Sequence, residues 1–211
     1  MRITRREFVV STGALVAAVS FLASAPLALA QTVEELMRPG PLPDLVQGKA
    51  DAPVTVIEYA SMTCPHCAHF HETTYPELKK RYIDTGKVRF IFREFPLDPL
   101  ATAGFMLARC GGTTERYFAI IETLFDKQKE WLVQKPLQPL LAIARQTGFT
   151  EQSFNECLND KKIQAGIEDV RLRAIKLNVQ STPSFFVNGK PMRGNAAIDD
   201  FEKAITPYLK G

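Results

Sequence analysis

The apolar positions change their spacing along the chain, and each change predicts a switch of structure. Val54-Thr55-Val56-Ile57-Glu58-Tyr59 is β-branched and aromatic behind an Asp51-Ala52-Pro53 boundary, which predicts a buried strand. Ala68 through Lys80 reads as a helix, and Val88-Arg89-Phe90-Ile91-Phe92 as a second strand ended by Pro96. From there to about Val179 the periods are helical. Short helices are expected near Leu100–Cys110, Glu115–Phe125, Leu137–Thr147 and Glu151–Leu158, with Gly148 as a C-cap. A longer helix carries Ile163, Ile167, Val170, Ala174 and Leu177 as one apolar stripe. Strand character returns in Ser184-Phe185-Phe186-Val187, followed by Asn188-Gly189, the strongest two-residue hairpin signal. Lys190–Arg193 would be the return strand and Ile198–Leu209 a closing helix.

The resulting order is β, α, β, a helical block, β, β, α. It predicts an α/β fold, with one sheet domain over residues 51–96 and 177–211 and a helical domain over 97–176 inserted after its second strand. Residues 31–50 carry several Pro and Gly and read as an arm over the body. Residues 1–30 read as an address. Arg2, Arg5 and Arg6 precede an Ala/Val/Leu-rich stretch, Pro26 breaks it, and Ala28-Leu29-Ala30 offers a signal-peptidase site. Interrupted by Pro26 and diluted with small residues, the stretch makes a poor permanent membrane span. Cleavage after Ala30 would leave 181 residues, enough for one good core. Arg5-Arg6 fits a twin-arginine export signal, and an ordinary export signal with two incidental arginines fits equally well.

Charge changes the picture only by exclusion. Removing three arginines and one glutamate with residues 1–30 lowers the formal charge from +3 to +1. No basic patch interleaved with aromatics remains, so no nucleic-acid partner is expected.

All four cysteines lie beyond residue 30, and an exported chain meets an oxidising compartment. Cys64-Pro65-His66-Cys67 stands between the first strand and its helix, the setting of a thiol redox site. Proline is favoured at the first helical position, which places Cys64 at the N-cap. Its sulfur would face unpaired backbone N–H groups and the positive end of the helix, and His66 would add a donor or charge beside it. All three stabilise the thiolate, the nucleophilic form, and a stabilised reduced form makes a strong oxidant. Cys67, one turn inside, would be the resolving thiol. Glu58 is an odd carboxyl in an apolar strand. It reads either as a proton relay to Cys67 or as a structural carboxylate paired with a lysine. Cys110 and Cys157 remain as a second pair. They read as a disulfide closing 47 residues, with a contribution of roughly 4 kcal/mol, or as two separate buried thiols.

With these residues in place, the chain resembles the DsbA family of exported thiol-disulfide oxidoreductases, most of all its alphaproteobacterial-type branch. Cys64-Pro65-His66-Cys67 matches the family tetrapeptide, Glu58 its buried acid, and Thr182-Pro183 the cis-proline segment beside the disulfide. Phe92-Arg93-Glu94-Phe95-Pro96-Leu97 is also similar to that branch. The resemblance implies a thioredoxin fold interrupted by helices and a periplasmic location. Its redox group would be the Cys64–Cys67 disulfide, with no other cofactor and no metal. Reduced, unfolded exported proteins would form a mixed disulfide at Cys64, with Thr182 and Pro183 binding their backbone by strand addition. A DsbB-like membrane quinone reductase would reoxidise the protein, which is expected to be a monomer. Cys110 and Cys157 fit relatives with a second, non-catalytic disulfide.

Three rivals carry different chemistry. His69 and His71, with Cys64 and Cys67, make a Zn or Cu(I) site conceivable, although a helix N-terminus favours anions. An isomerase or reductase would share the fold, although residues 31–50 are too short for a dimerisation domain. A non-enzymatic chaperone would use an apolar cleft in the helical block and would survive Cys64→Ser.

Overall fold

The computed structural model describes residues 33–193 and 197–209. The expected export signal over residues 1–30 lies outside them. The sheet is organised around β2 (Val54–Ala60), whose seven residues are all buried. It pairs in parallel with β3 (Val88–Glu94) and antiparallel with β4 (Ser184–Val187), so Glu58 stands between Phe92 and Phe185. β5 (Lys190–Arg193) follows β4 through a tight turn in which Asn188 and Gly189 have φ of 45° and 80°. Both central residues of such a turn need positive φ, which is why Asn-Gly announces it. With β1 (Leu45–Gln47) on the other edge, the strand order is β1-β3-β2-β4-β5.

The helix expected over Ala68–Lys80 is divided. α1 spans Pro65–Thr73 and α2 spans Tyr75–Leu78, followed by a π turn over Lys79–Ile83. Pro76 is the cause: it has no N–H, and its ring collides with the carbonyl four residues back, so the helix restarts with the proline in its first turn. Six helices separate β3 from β4: α3 (Pro99–Arg109), α4 (Thr114–Asp126), α5 (Gln128–Trp131), α6 (Leu137–Gln146), α7 (Glu151–Leu158) and α8 (Lys161–Lys176). α5 was not expected from the sequence. The closing helix α9 (Ile198–Ile205) stops before Leu209, and Thr206–Tyr208, with Pro207, adds one 3-10 turn.

Residues 31–50 are more than an arm. Residues 33–37 are helical, and β1 joins the sheet by pairing Val46 with Ile91 of β3. Arg93 makes this possible. From β3 its guanidinium donates to Asp44 (2.9 and 3.0 Å), the Leu36 carbonyl (2.7 Å) and the Tyr59 hydroxyl (2.8 Å). A buried guanidinium with so many acceptors is satisfied, and it fixes the preceding segment to the sheet.

One face of β2 sends Val54, Val56 and Ala60 into a hydrophobic cluster that continues through Phe70, Phe105, Phe118 and Trp131 of the helices. The other face sends Ile57 and Tyr59 into a smaller cluster with Leu36, Ile91, Ala174 and Leu177. α8 therefore reaches back across the sheet through Ala174. Cys110 and Cys157 are bonded to each other, with Cα atoms 6.1 Å apart, and link the end of α3 to α7.

Candidate active site

α1 begins where the sequence places it. Cys64 is the N-cap with extended φ and ψ, and Pro65 opens the helix. Cys64 is 4% exposed and Cys67 fully buried, both as free thiols. The loop that presents them is tied on two sides. Thr63 Oγ1 donates to Asp98 (2.6 Å), which also caps α3 through the Ala101 N–H. Gln128 of α5 donates from Nε2 to the carbonyls of Met62 (2.9 Å) and Cys64 (3.0 Å). On the third side stands Thr182, joined to Pro183 by a cis bond, with its carbonyl accepting from Cys64 Sγ at 3.3 Å.

The two thiols are driven apart in acidity. Cys64 is lowered to about 5, chiefly by its hydrogen bond with the Cys67 thiol. The backbone N–H groups of Cys67 and His66 and the Thr182 side chain add to this, against the opposing effect of burial. Cys67 is pushed well above the usual thiol range, first by burial, then by Cys64 and by the negative charge of Glu58. A thiol lowered this far suits a nucleophile or leaving group, whereas the Cys67 environment favours a thiol that keeps its proton.

His66 is exposed, and its contact with the Cys64 sulfur is through its backbone N–H. Its ring forms no hydrogen bond within the described residues. Glu58 is fully buried, and its partner is not the lysine one reading allowed. His71 Nε2 lies 2.9 Å from Glu58 Oε2. Helical geometry brings His71, one turn beyond Cys67, against the central strand, where the cross-strand neighbours of Glu58 are phenylalanines. The same contact commits Nε2 of His71 to a carboxylate. Among the described residues no group of three or more His, Cys, Asp or Glu comes together as metal ligands.

Residues 42–206 match the family model described as Thioredoxin. The chain is 33% identical over 172 residues to the probable disulfide bond formation protein D of Bacillus anthracis, covering 77% of each chain. Its structure matches Wolbachia pipientis alpha-DsbA1 at a TM-score of 0.79, with 35% identity over 84% of this chain and 96% of that one.

The chain belongs to the DsbA family.

A putative protein-disulfide oxidoreductase of Rickettsia prowazekii is 38% identical over 168 residues, 79% of this chain. The chain spans 61% of that relative's length. With the family shown, the fold is a thioredoxin fold with helices inserted between β3 and β4. Sequence reasoning missed two residues of this DsbA-type site. His71 was weighed only as a metal ligand, although its position four residues after Cys67 was the available signal. Gln128 had none, because it acts across 64 residues. Among the described residues no helix is long and apolar enough to cross a membrane.

Proposed function

We propose that the protein is an exported dithiol oxidase that passes its Cys64–Cys67 disulfide to reduced, unfolded exported proteins. A substrate thiolate bonds to Cys64 Sγ, and Cys67 leaves with the electron pair of the broken S–S bond. The substrate's second thiolate then attacks its own sulfur in the mixed disulfide and releases Cys64 as a thiolate. The observation that carries this reading is the opposed acidity of the two thiols. A thiol at about 5 is a good leaving group, and its stable thiolate favours the reduced form of the pair.

Pro65 opens the helix that supplies the N–H groups, and Glu58 serves the proton of Cys67. The segment of Thr182 and Pro183 pairs with the extended substrate backbone. Residues 51–96 and 177–211 act as the redox unit, and 97–176 as a helical domain that holds the Cys64 loop through Gln128. Cys110–Cys157 acts as a staple. In this reading the chain loses residues 1–30, works in the periplasm as a monomer, and is reoxidised by a DsbB-like membrane quinone reductase. The names of the Rickettsia and Bacillus relatives agree with a role in disulfide formation.

Equilibration of the Cys64–Cys67 pair against glutathione tests the proposal. The reduced form should be strongly favoured, and Cys64→Ser should abolish oxidation of a reduced unfolded protein. A pair as reducing as thioredoxin, near about −270 mV, would make the protein a reductase instead.

A further inference from the structure

His71 belongs to two environments at once. Its Nε2 is committed to Glu58 at 2.9 Å, whereas Nδ1 is buried without a hydrogen-bond partner. Its ring, stacked 4.5 Å from Phe125, also forms part of the wall of a cavity of about 300 Å³. The polar wall is supplied by Glu72 of α1, Tyr75 of α2, Lys79 of the π turn, and Glu122 and Asp126 of α4. Neither Glu58 nor Cys67 lines it. The imidazole therefore links the buried acid to a polar space. A second orphan lies at the inner end, since Glu58 Oε1 is also buried and unpartnered. Thus each member of the pair keeps one unpartnered atom, Oε1 of Glu58 and Nδ1 of His71.

We propose that His71 is a positioning and relay residue that carries the proton of the Cys67 half-reaction between Glu58 and the water of this cavity. The proposal rests on the reading that Cys64 forms the mixed disulfide and Cys67 resolves it. When a substrate thiolate bonds to Cys64, Cys67 leaves as a thiolate in a site that disfavours its charge. Its proton arrives through Glu58, whose unpartnered Oε1 is the oxygen free to serve it. His71 Nε2 restores the proton to Glu58 through Oε2, and Nδ1 takes its replacement from the cavity. One proton has then moved from water to Cys67 Sγ, and the ring has changed tautomer. Reoxidation draws the proton from Cys67 along the reverse path, which resets the ring. A structural partner for Glu58 needs only one donor. Imidazole, with two nitrogens that exchange roles, does what an amide of similar reach cannot.

The groups facing His71 suit this use. Glu122 is an exposed residue whose carboxyl is nonetheless raised by the protein packed around it. It can hold and release protons at the cavity wall. Tyr75, whose ring is 4.7 Å from that of His71, is raised further by burial and stays a neutral wall.

The test separates two steps of one reaction. Reduced full-length protein is mixed with oxidised glutathione and quenched with acid at intervals. Cys64 attack is bimolecular, and release of glutathione by Cys67 is first order. His71→Gln keeps an N–H for Glu58 but cannot gain or lose a proton. It should slow the first-order step about tenfold or more, within the usual reach of general acid–base catalysis, and leave the bimolecular step within about twofold. His71→Ala opens the ring's space to the cavity. Added imidazole should restore its first-order rate in proportion to concentration, and substituted imidazoles should rank by basicity. An unchanged first-order step in His71→Gln overturns the proposal. So does a slow step in His71→Ala that imidazole leaves slow, because the role is then structural. If native protein forms no Cys64 mixed disulfide, the oxidase reading falls and the relay falls with it.

Discussion

Cys64 Sγ lies 3.3 Å from the carbonyl oxygen of Thr182, the residue joined through a cis bond to Pro183. That contact exists only for the thiol, because a thiolate has no proton to donate. Ionisation exchanges it for bonds from the Cys67 thiol and from the backbone N–H groups of Cys67 and His66. The Thr182 hydroxyl, buried without another partner, stands beside the same sulfur. The reduced site is therefore arranged for one anionic and one neutral sulfur.

This arrangement sets the pH dependence of the redox potential. Lowering Cys64 from 9.0 to about 5 stabilises the reduced form at pH 7 by about 2.7 kcal/mol. For a two-electron couple that is about 60 mV toward oxidising potentials. Between pH 5 and 9 reduction takes up one proton, so the potential should fall by about 30 mV per pH unit. Below pH 5 both sulfurs are protonated on reduction, and the slope should double to about 60 mV per unit. Potentiometry against glutathione from pH 4 to 8 checks this. One uniform slope of about 60 mV per unit would show an ordinary Cys64 thiol.

The same shift links stability to pH in the reduced protein alone. Cys64 is an acid whose folded pKa is depressed, so its contribution is full above the unfolded thiol value and lost as pH falls through about 5. At pH 7 about half remains, roughly 2.7 kcal/mol. The oxidised protein has no such titration. Urea unfolding of the two forms should therefore show the reduced form losing about 2.7 kcal/mol relative to the oxidised form between pH 7 and about pH 4.5. A difference that stays constant over that range contradicts a depressed Cys64.

The Cys110–Cys157 bond should matter for stability and leave the chemistry at Cys64 alone. It closes 47 residues, which corresponds to a contribution of about 4 kcal/mol through the unfolded chain. Cys110→Ala with Cys157→Ala should lose up to that amount in urea, with the pH midpoint of Cys64 alkylation unmoved. A shifted midpoint would mean that the staple also holds the site.

What the sequence disclosed and what it hid divide by range of contact. Pro65 after Cys64 announced the N-cap because capping is decided within one helical turn, and Asn188-Gly189 announced its hairpin because two φ angles decide it. Glu58 was conspicuous as a polar residue in an apolar strand, but its partner depends on how α1 lies on the sheet. His71 was therefore visible as a residue and not as a contact. β1 is three residues long, too short for alternation to be read, and is fixed by Arg93 acting across 49 residues to Asp44. Pro76 carried a legible break that the apolar pattern around it concealed.

Gln128 carries the last prediction, because with the Thr63–Asp98 bond it is one of two side-chain links from the inserted helices to the Cys64 loop. It is 7% exposed, and its Nε2 donates to the carbonyls of Met62 and Cys64. Gln128→Ala leaves the Met62 carbonyl unsatisfied, at a cost of about 1–3 kcal/mol if water does not reach it, while the Cys64 carbonyl keeps its bond from the Ala68 N–H. Gln128→Glu is the sharper variant. It keeps the size but faces both carbonyls with an acceptor, so it should be the less stable of the two at neutral pH. Either change frees the N-cap to move relative to the N–H groups of α1, and the Cys64 midpoint should rise from about 5. Urea unfolding and the pH profile of iodoacetamide alkylation read the two effects separately. A variant that loses stability with an unmoved midpoint would show that Gln128 holds the fold and does not set the thiolate.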